Sequence, residues 1–261
     1  MQNRIDRCFQ ALRARNEKAF IAYICAGDPD FPRTVDLALA LEKAGTDILE
    51  LGIPFSDPLA DGVVNQLAAQ RALEAGATVP GVLECVRQIR RRSQIPIVLY
   101  TYLNPIFQFG FERFHREASE AGVDGLLILD LPPEEDQPSE APLHIRLIAP
   151  TTPPERVQKI CARAAGFIYY VSREGVTGAQ SSVASSLGER VGQIRQCTEL
   201  PIAVGFGIST AEQAKEVAQV ADAIVVGSAI VQRIDDEKTA VDMPDRIGKF
   251  VAQLVNATKK G

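Results

Sequence analysis

The densest chemistry in the chain lies in Leu49-Glu50-Leu51-Gly52-Ile53-Pro54-Phe55-Ser56-Asp57-Pro58-Leu59-Ala60-Asp61-Gly62. Glu50 sits inside an apolar run, and two more carboxylates follow on a loop punctuated by Pro and Gly. A carboxylate in a strand interior is paired or chemically employed, because burying a lone charge is costly. Strand alternation puts Glu50 on the opposite face from Asp47, Leu49 and Leu51. With helices covering that other face, Glu50 looks into an enclosed interior near the strand's C-terminal end. Desolvation there raises a carboxyl pKa, which suits a general acid or base near neutral pH. A carboxylate tied into a structural hydrogen-bond network is the competing reading, and the segment alone does not separate the two.

The elements that must position these groups alternate from end to end. Strands are expected at Phe20–Cys25, Asp47–Ile53, Ile97–Tyr102, Gly125–Leu131, Ile145–Ala149, Phe167–Val171, Ile202–Gly205 and Ala223–Gly227. The clearest helical patterns are Phe31–Ala44, Val82–Arg92, Phe111–Ala121, Pro154–Ala164, Val183–Gln196 and Ala211–Val220. Eight strand–helix units with no long structureless linker predict a single-domain (β/α)8 barrel over residues 1–261, an α/β TIM barrel rather than an open doubly wound sheet. Ile5, Cys8, Phe9 and Leu12 fall at helical spacing, so an extra N-terminal helix is expected to plug the barrel floor. Asp47, Asp124 and Asp222 each stand at a strand entrance, the first two after a helix-stopping Gly, and read as structural turns.

Barrel chemistry sits at the C-terminal ends of the strands. The candidates there are Glu50, Asp61, Tyr100, Tyr102, Asn104, Asp130, Tyr169 and Thr177, with two late glycine loops. Gly205-Phe206-Gly207-Ile208-Ser209 follows the seventh strand, and Gly227-Ser228-Ala229 follows the eighth and opens a short helix. Backbone N–H groups exposed by glycine, next to a helix N-terminus, make a phosphate cradle. The polar loop 173–182 reads as a connector or as a lid over a phosphorylated ligand. Only two histidines are present, and neither His115 nor His144 falls at the chemical end. None of the lysines ends a strand either. Histidine-ligated metal, Ser-His-Asp and Schiff-base mechanisms therefore lack parts, which leaves carboxylate acid/base chemistry with no metal site.

The net charge of −5 and the lack of a basic stripe argue against nucleic acid. Arg90-Arg91-Arg92 reads as a solvated helix end. Five scattered cysteines without CxxC spacing read as reduced thiols, and no apolar run spans a membrane. A cytoplasmic protein is the expectation.

With these residues in view, the chain resembles the tryptophan synthase alpha subunit family. The whole 49–62 segment matches its signature. So do Gly27-Asp28-Pro29, Tyr102 with Asn104, Asp130-Leu131-Pro132, Ala149-Pro150-Thr151-Thr152, Gly175-Val176-Thr177-Gly178 and both late glycine loops. The resemblance implies a lyase that cleaves indole-3-glycerol phosphate to indole and glyceraldehyde 3-phosphate. It implies Glu50 as proton shuttle and Asp61 as the group on the indole N–H. Gly178, Gly207, Gly227 and Ser228 would hold phosphate, while Tyr23, Tyr100, Leu129, Ile148 and Phe206 would wall the indole pocket, unless the wall is plain barrel core. Tyr102, Tyr169 and Thr177 would support a closed lid. An αββα complex is implied, with pyridoxal phosphate only in the beta subunit and contacts at Pro54, Asp57, Asn104 and Phe107. Another phosphate-binding barrel, or a non-catalytic subunit that only activates a partner, stays open beside this. Departures from the family pattern are Gly62-Val63-Val64-Asn65-Gln66 after the second acid, Cys25, and a shortened connection after Asp130. Pro138 and Pro142 interrupt that connection, so a full fourth helix is not expected there.

Overall fold

The computed structural model describes residues 2–135, 142–172, 180–205 and 207–259, with 180–185 as backbone alone. Its strands are β1 Ala19–Cys25, β2 Ile48–Gly52, β3 Ile97–Thr101, β4 Gly125–Ile128, β5 Leu143–Ile148, β6 Ile168–Val171, β7 Ile202–Gly205 and β8 Ala223–Val226. Each pairs in parallel with the next, and β8 closes on β1 to complete a barrel. Around it run α1 Arg4–Ala14, α2 Phe31–Lys43, α3 Val63–Glu74, α4 Val79–Arg90, α5 Leu103–Phe109, α6 Phe111–Ala121, α7 Pro154–Cys161, α8 Gln180–Arg195, α9 Ala211–Ala218, α10 Ser228–Glu237 and α11 Met243–Lys259. Among the described residues no helix joins β4 to β5, and none is long and apolar enough to cross a membrane.

Alternation along the strands sorts the core into two layers. Leu49, Leu51, Leu99, Leu126 and Val204 face outward into the helix ring, while Ile21, Ile48, Val98, Leu127 and Ala203 face inward. The inward set is closed from below by α1, as expected. Ile5, Phe9 and Leu12 pack into it, with the Phe9 and Phe167 rings 5.8 Å apart. Gly125 leaves the room this needs, since a Cβ there would stand 3.0 Å from Ile5 Cδ1.

The three entrance aspartates share one job. Asp47, Asp124 and Asp222 accept the first free N–H of the preceding strand, from Phe20 at 2.8 Å, Ile97 at 2.9 Å and Ile202 at 2.9 Å. Each therefore satisfies a backbone donor that the ladder leaves over. The basic run needs a correction here. Arg91 and Arg92 are solvated, but Arg90 turns inward, pairs with Asp124 at 2.7 Å and donates to the Gly122 carbonyl at 2.9 Å. It is a structural cation that ties α4 to the entrance of β4.

Two helices fall outside the expected patterns. α3 buries only Ala68, Ala69 and Ala72, so it shows no strong apolar stripe. α5 is seven residues long, too short for periodicity to register. Both follow strands that carry the candidate site. Arg71 on α3 forms a two-pronged ion pair with buried Asp28, at 2.9 and 2.7 Å, and reaches Asp235 on α10 at 3.3 Å. The Gly27-Asp28-Pro29 turn, α3 and α10 are thus fixed to one another.

Candidate active site

At the C-terminal mouth of the barrel lies a cavity of about 700 Å³. Glu50 rises into it from β2, opposite Tyr23 of β1 in the parallel register. Glu50 is 1 % exposed, and among the described residues neither carboxyl oxygen has a hydrogen-bond partner. That speaks against the structural-network reading. Desolvation, helped by repulsion from Asp61, raises the Glu50 pKa to about 8. At neutral pH it is therefore a carboxylic acid whose conjugate base is unusually strong.

Asp61 enters from the loop after β2, and its setting is the opposite. Oδ2 accepts the Tyr102 hydroxyl at 2.7 Å, and Oδ1 accepts the Tyr100 hydroxyl at 3.0 Å. Tyr102 Oη also accepts the Ala60 N–H at 2.9 Å, which fastens the loop to the end of β3. Burial pushes the Tyr23, Tyr100 and Tyr169 phenols well above their ordinary range, so all three remain protonated. One carboxyl is starved of partners and the other is doubly bonded. Such a pair divides acid/base work from charge stabilisation.

The far wall has the makings of an anion site. Gly207, Gly227 and Ser228 line the cavity, and α10 begins at Ser228 with no acidic residue in its first turn. Gly207 has φ +65°, a conformation that favours glycine, and α10 directs its positive end toward the mouth.

A model of the tryptophan synthase alpha chain matches residues 9–259. The tryptophan synthase alpha chain of Opitutus terrae is 52 % identical, covering 99 % of this chain and all of the relative. The chain belongs to the tryptophan synthase alpha chain family. Among solved structures, subunit alpha from Legionella pneumophila superposes with a TM-score of 0.89 at 39 % identity, covering 99 % of each chain. A chain of Mycobacterium tuberculosis tryptophan synthase gives 0.88 at 34 % over the full length of both. Membership makes this protein a lyase of tryptophan biosynthesis.

For this alpha chain the barrel brings Glu50, Asp61, Tyr23, Tyr100, Leu129, Tyr169, Gly207, Gly227 and Ser228 around one cavity. Gly178, Thr177 and Phe206 lie outside the described residues. Two expectations are corrected. Ile148 is fully buried in the outward layer against the helices, and Leu147 and Ala149 face the cavity instead. The register pairs Leu147 with inward Tyr169, so Ile148 sits one step out of phase. Pro54 is buried rather than offered to a partner, whereas Asp57, Asn104 and Phe107 are exposed. Asp130 caps α5, accepting the Leu103 N–H at 2.6 Å. Asn65 was not anticipated. It lines the cavity with an Oδ1 that is buried and, among the described residues, unpartnered, and its place in the first turn of α3 was hidden by that helix's weak pattern.

Proposed function

We propose that the chain cleaves indole-3-glycerol phosphate to indole and glyceraldehyde 3-phosphate by carboxylate acid/base chemistry. The observation that carries this is the unpartnered, protonated Glu50 carboxyl facing the same cavity as the doubly bonded Asp61. Glu50 first donates its proton to indole C3, which makes the ring a cation able to accept electrons. The resulting carboxylate then takes the proton of the C3′ hydroxyl. The C3–C3′ bonding pair flows into the ring, and C3′ becomes the aldehyde. Glu50 ends the cycle protonated, so no proton is gained or lost. Asp61 accepts the ring N–H and opposes the positive charge while it exists.

Gly207, Gly227, Ser228 and the start of α10 hold the phosphate in this reading, with Gly178 from the loop after β6. Tyr23, Tyr100, Leu129, Leu147 and Phe206 enclose the indole, and Tyr102, Tyr169 and Thr177 steady the closed state. The ring cation is its own electron sink, so the reading requires no cofactor in this chain. The alpha chain assignment implies a beta subunit, in an αββα complex in which pyridoxal phosphate belongs to beta. Asp57, Asn104 and Phe107, on the loops after β2 and β3, are the contacts we assign to it. The enzyme works as a single domain in the cytoplasm.

Glu50→Gln tests the assignment. Turnover should fall about 10²- to 10⁴-fold, the usual cost of losing a general acid/base. Calorimetry with a non-cleavable indol-3-ylalkyl phosphate should show nearly unchanged affinity. Near-normal turnover would remove Glu50 from the mechanism.

A further inference from the structure

We propose that Tyr100 is a positioning residue that works through Asp61, holding the carboxylate so that its open lone pairs meet the substrate's ring N–H. The inference rests on the reading of Asp61 given above.

The two phenols on Asp61 are not equivalent. Tyr102 is tied to the loop itself, through the Ala60 N–H at 2.9 Å and a ring contact with Phe55 at 5.4 Å. Tyr100 belongs to the barrel wall, on β3, and its 3.0 Å bond to Oδ1 spans 39 residues of sequence. One donor would leave the carboxylate free to swing about its Cβ–Cγ bond. Two donors on opposite oxygens fix its plane. A carboxylate offers about four lone-pair sites, so two phenols still leave one open on each oxygen.

The ring of Tyr100 is itself held in place. Tyr23 meets it edge-on, with centroids 5.1 Å apart and planes at 71°. Tyr23 in turn is seated over Gly52 and Gly227, where a Cβ would stand 2.5 Å from its hydroxyl and 3.3 Å from its Cδ1. A wall residue alone accounts for the ring but not for the hydroxyl. Even a half-buried hydroxyl costs free energy unless bonded, and an apolar side chain would line the pocket without that cost. The bond to Asp61 supplies the reason for the phenol.

Positive charge appears on the ring nitrogen only after C3 is protonated. A carboxylate aimed at that nitrogen therefore stabilises the reacting state more than the bound substrate, and misaiming it costs kcat rather than KM. Steady-state kinetics on wild type, Tyr100→Phe, Asp61→Asn and the double variant decide the matter, with calorimetry of the non-cleavable analogue as a readout independent of turnover. Tyr100→Phe should lower kcat about tenfold with KM within about twofold, and should change neither rate nor analogue affinity once Asp61 is Asn. Equal losses in both backgrounds, or a loss confined to KM, would mean that Tyr100 is wall alone. Asp61→Asn with near-normal kcat would overturn the Asp61 reading beneath it, an outcome distinct from a silent Tyr100→Phe.

Discussion

Glu50 takes its character from its surroundings. An ordinary glutamate ionises near 4.5, and this one near 8, because the barrel interior gives its charge neither water nor a donor. Between those two pH values the folded chain keeps a proton that the unfolded chain has lost. Stability contributed by the neutral acid is therefore full below about pH 4.5 and drains away as pH rises toward 8. Each unit of that displacement is worth about 1.4 kcal/mol. Glu50→Gln has no charge to bury. Its melting temperature should match the wild type's at pH 4.5 and exceed it increasingly up to pH 8. A pH-independent offset would show that Glu50 is not held neutral in the folded state. The same proton governs the rate, so wild-type kcat/KM should decline above about pH 8, where the acid form runs out. The two acids were legible in the sequence because carboxylates among apolar and glycine-rich neighbours are rare. The second phenol on Asp61 was not. Period-two alternation gives the face on which Tyr100 lies but not the partner its hydroxyl finds 39 positions away.

At the scale of elements, the entrance aspartates explain how parallel strands begin without wasted donors. Asp124 carries the heaviest load. It holds the Ile97 N–H, pairs with Arg90 at 2.7 Å and with Arg4 at 3.0 Å, and so joins α1, α4 and β3 to the floor of the barrel. Arg90 and Asp124 are 10 % and 4 % exposed, and removing one partner strands the other in a dry site. Asp124→Ala should cost about 3 kcal/mol in urea unfolding, and Asp124→Asn, which keeps the backbone acceptor, should cost less. A loss under about 1 kcal/mol for the alanine variant would show that the pair contributes little. Its distance from the mouth predicts an unchanged kcat. The strand bounds expected from apolar runs are met within a few residues, because the runs themselves are short and interrupted by turn-forming or charged residues. β4 ends earliest, at Ile128 rather than Leu131, as Pro132 and Pro133 close. Ile148 shows where such reading fails. His144 and Arg146 alternate with inward Ile145 and Leu147 along β5, so Ile148 shares their outward phase, a signal that the pocket assignment passed over.

The whole molecule is polarised along its axis. Its floor is plugged by α1 and bound by ion pairs, while its mouth carries the candidate site and, among the described residues, exposed apolar side chains. Leu59, Val63 and Phe107 are 89 %, 68 % and 69 % exposed, and they stand on or beside the loops after β2 and β3, next to exposed Asp57 and Asn104. In the proposed reading these residues form the surface that the beta subunit covers. Hydrophobic residues of this size contribute about 2 kcal/mol when buried, roughly thirtyfold in Kd. Phe107→Asp should therefore weaken binding of a tryptophan synthase beta subunit by at least that factor, since a desolvated charge adds to the lost burial. Its exposure means that the melting temperature of the isolated chain should stay put. Val241 is the matched control, 97 % exposed but in the turn between α10 and α11, away from those loops. Val241→Asp should leave beta binding unchanged. If titration by calorimetry shows both variants binding beta like wild type, the partner does not sit on the loops after β2 and β3. Loss in both would point to a broader effect of added negative charge on a chain already at −5. A loss confined to Phe107→Asp would place the beta subunit over the mouth that holds Glu50 and Asp61.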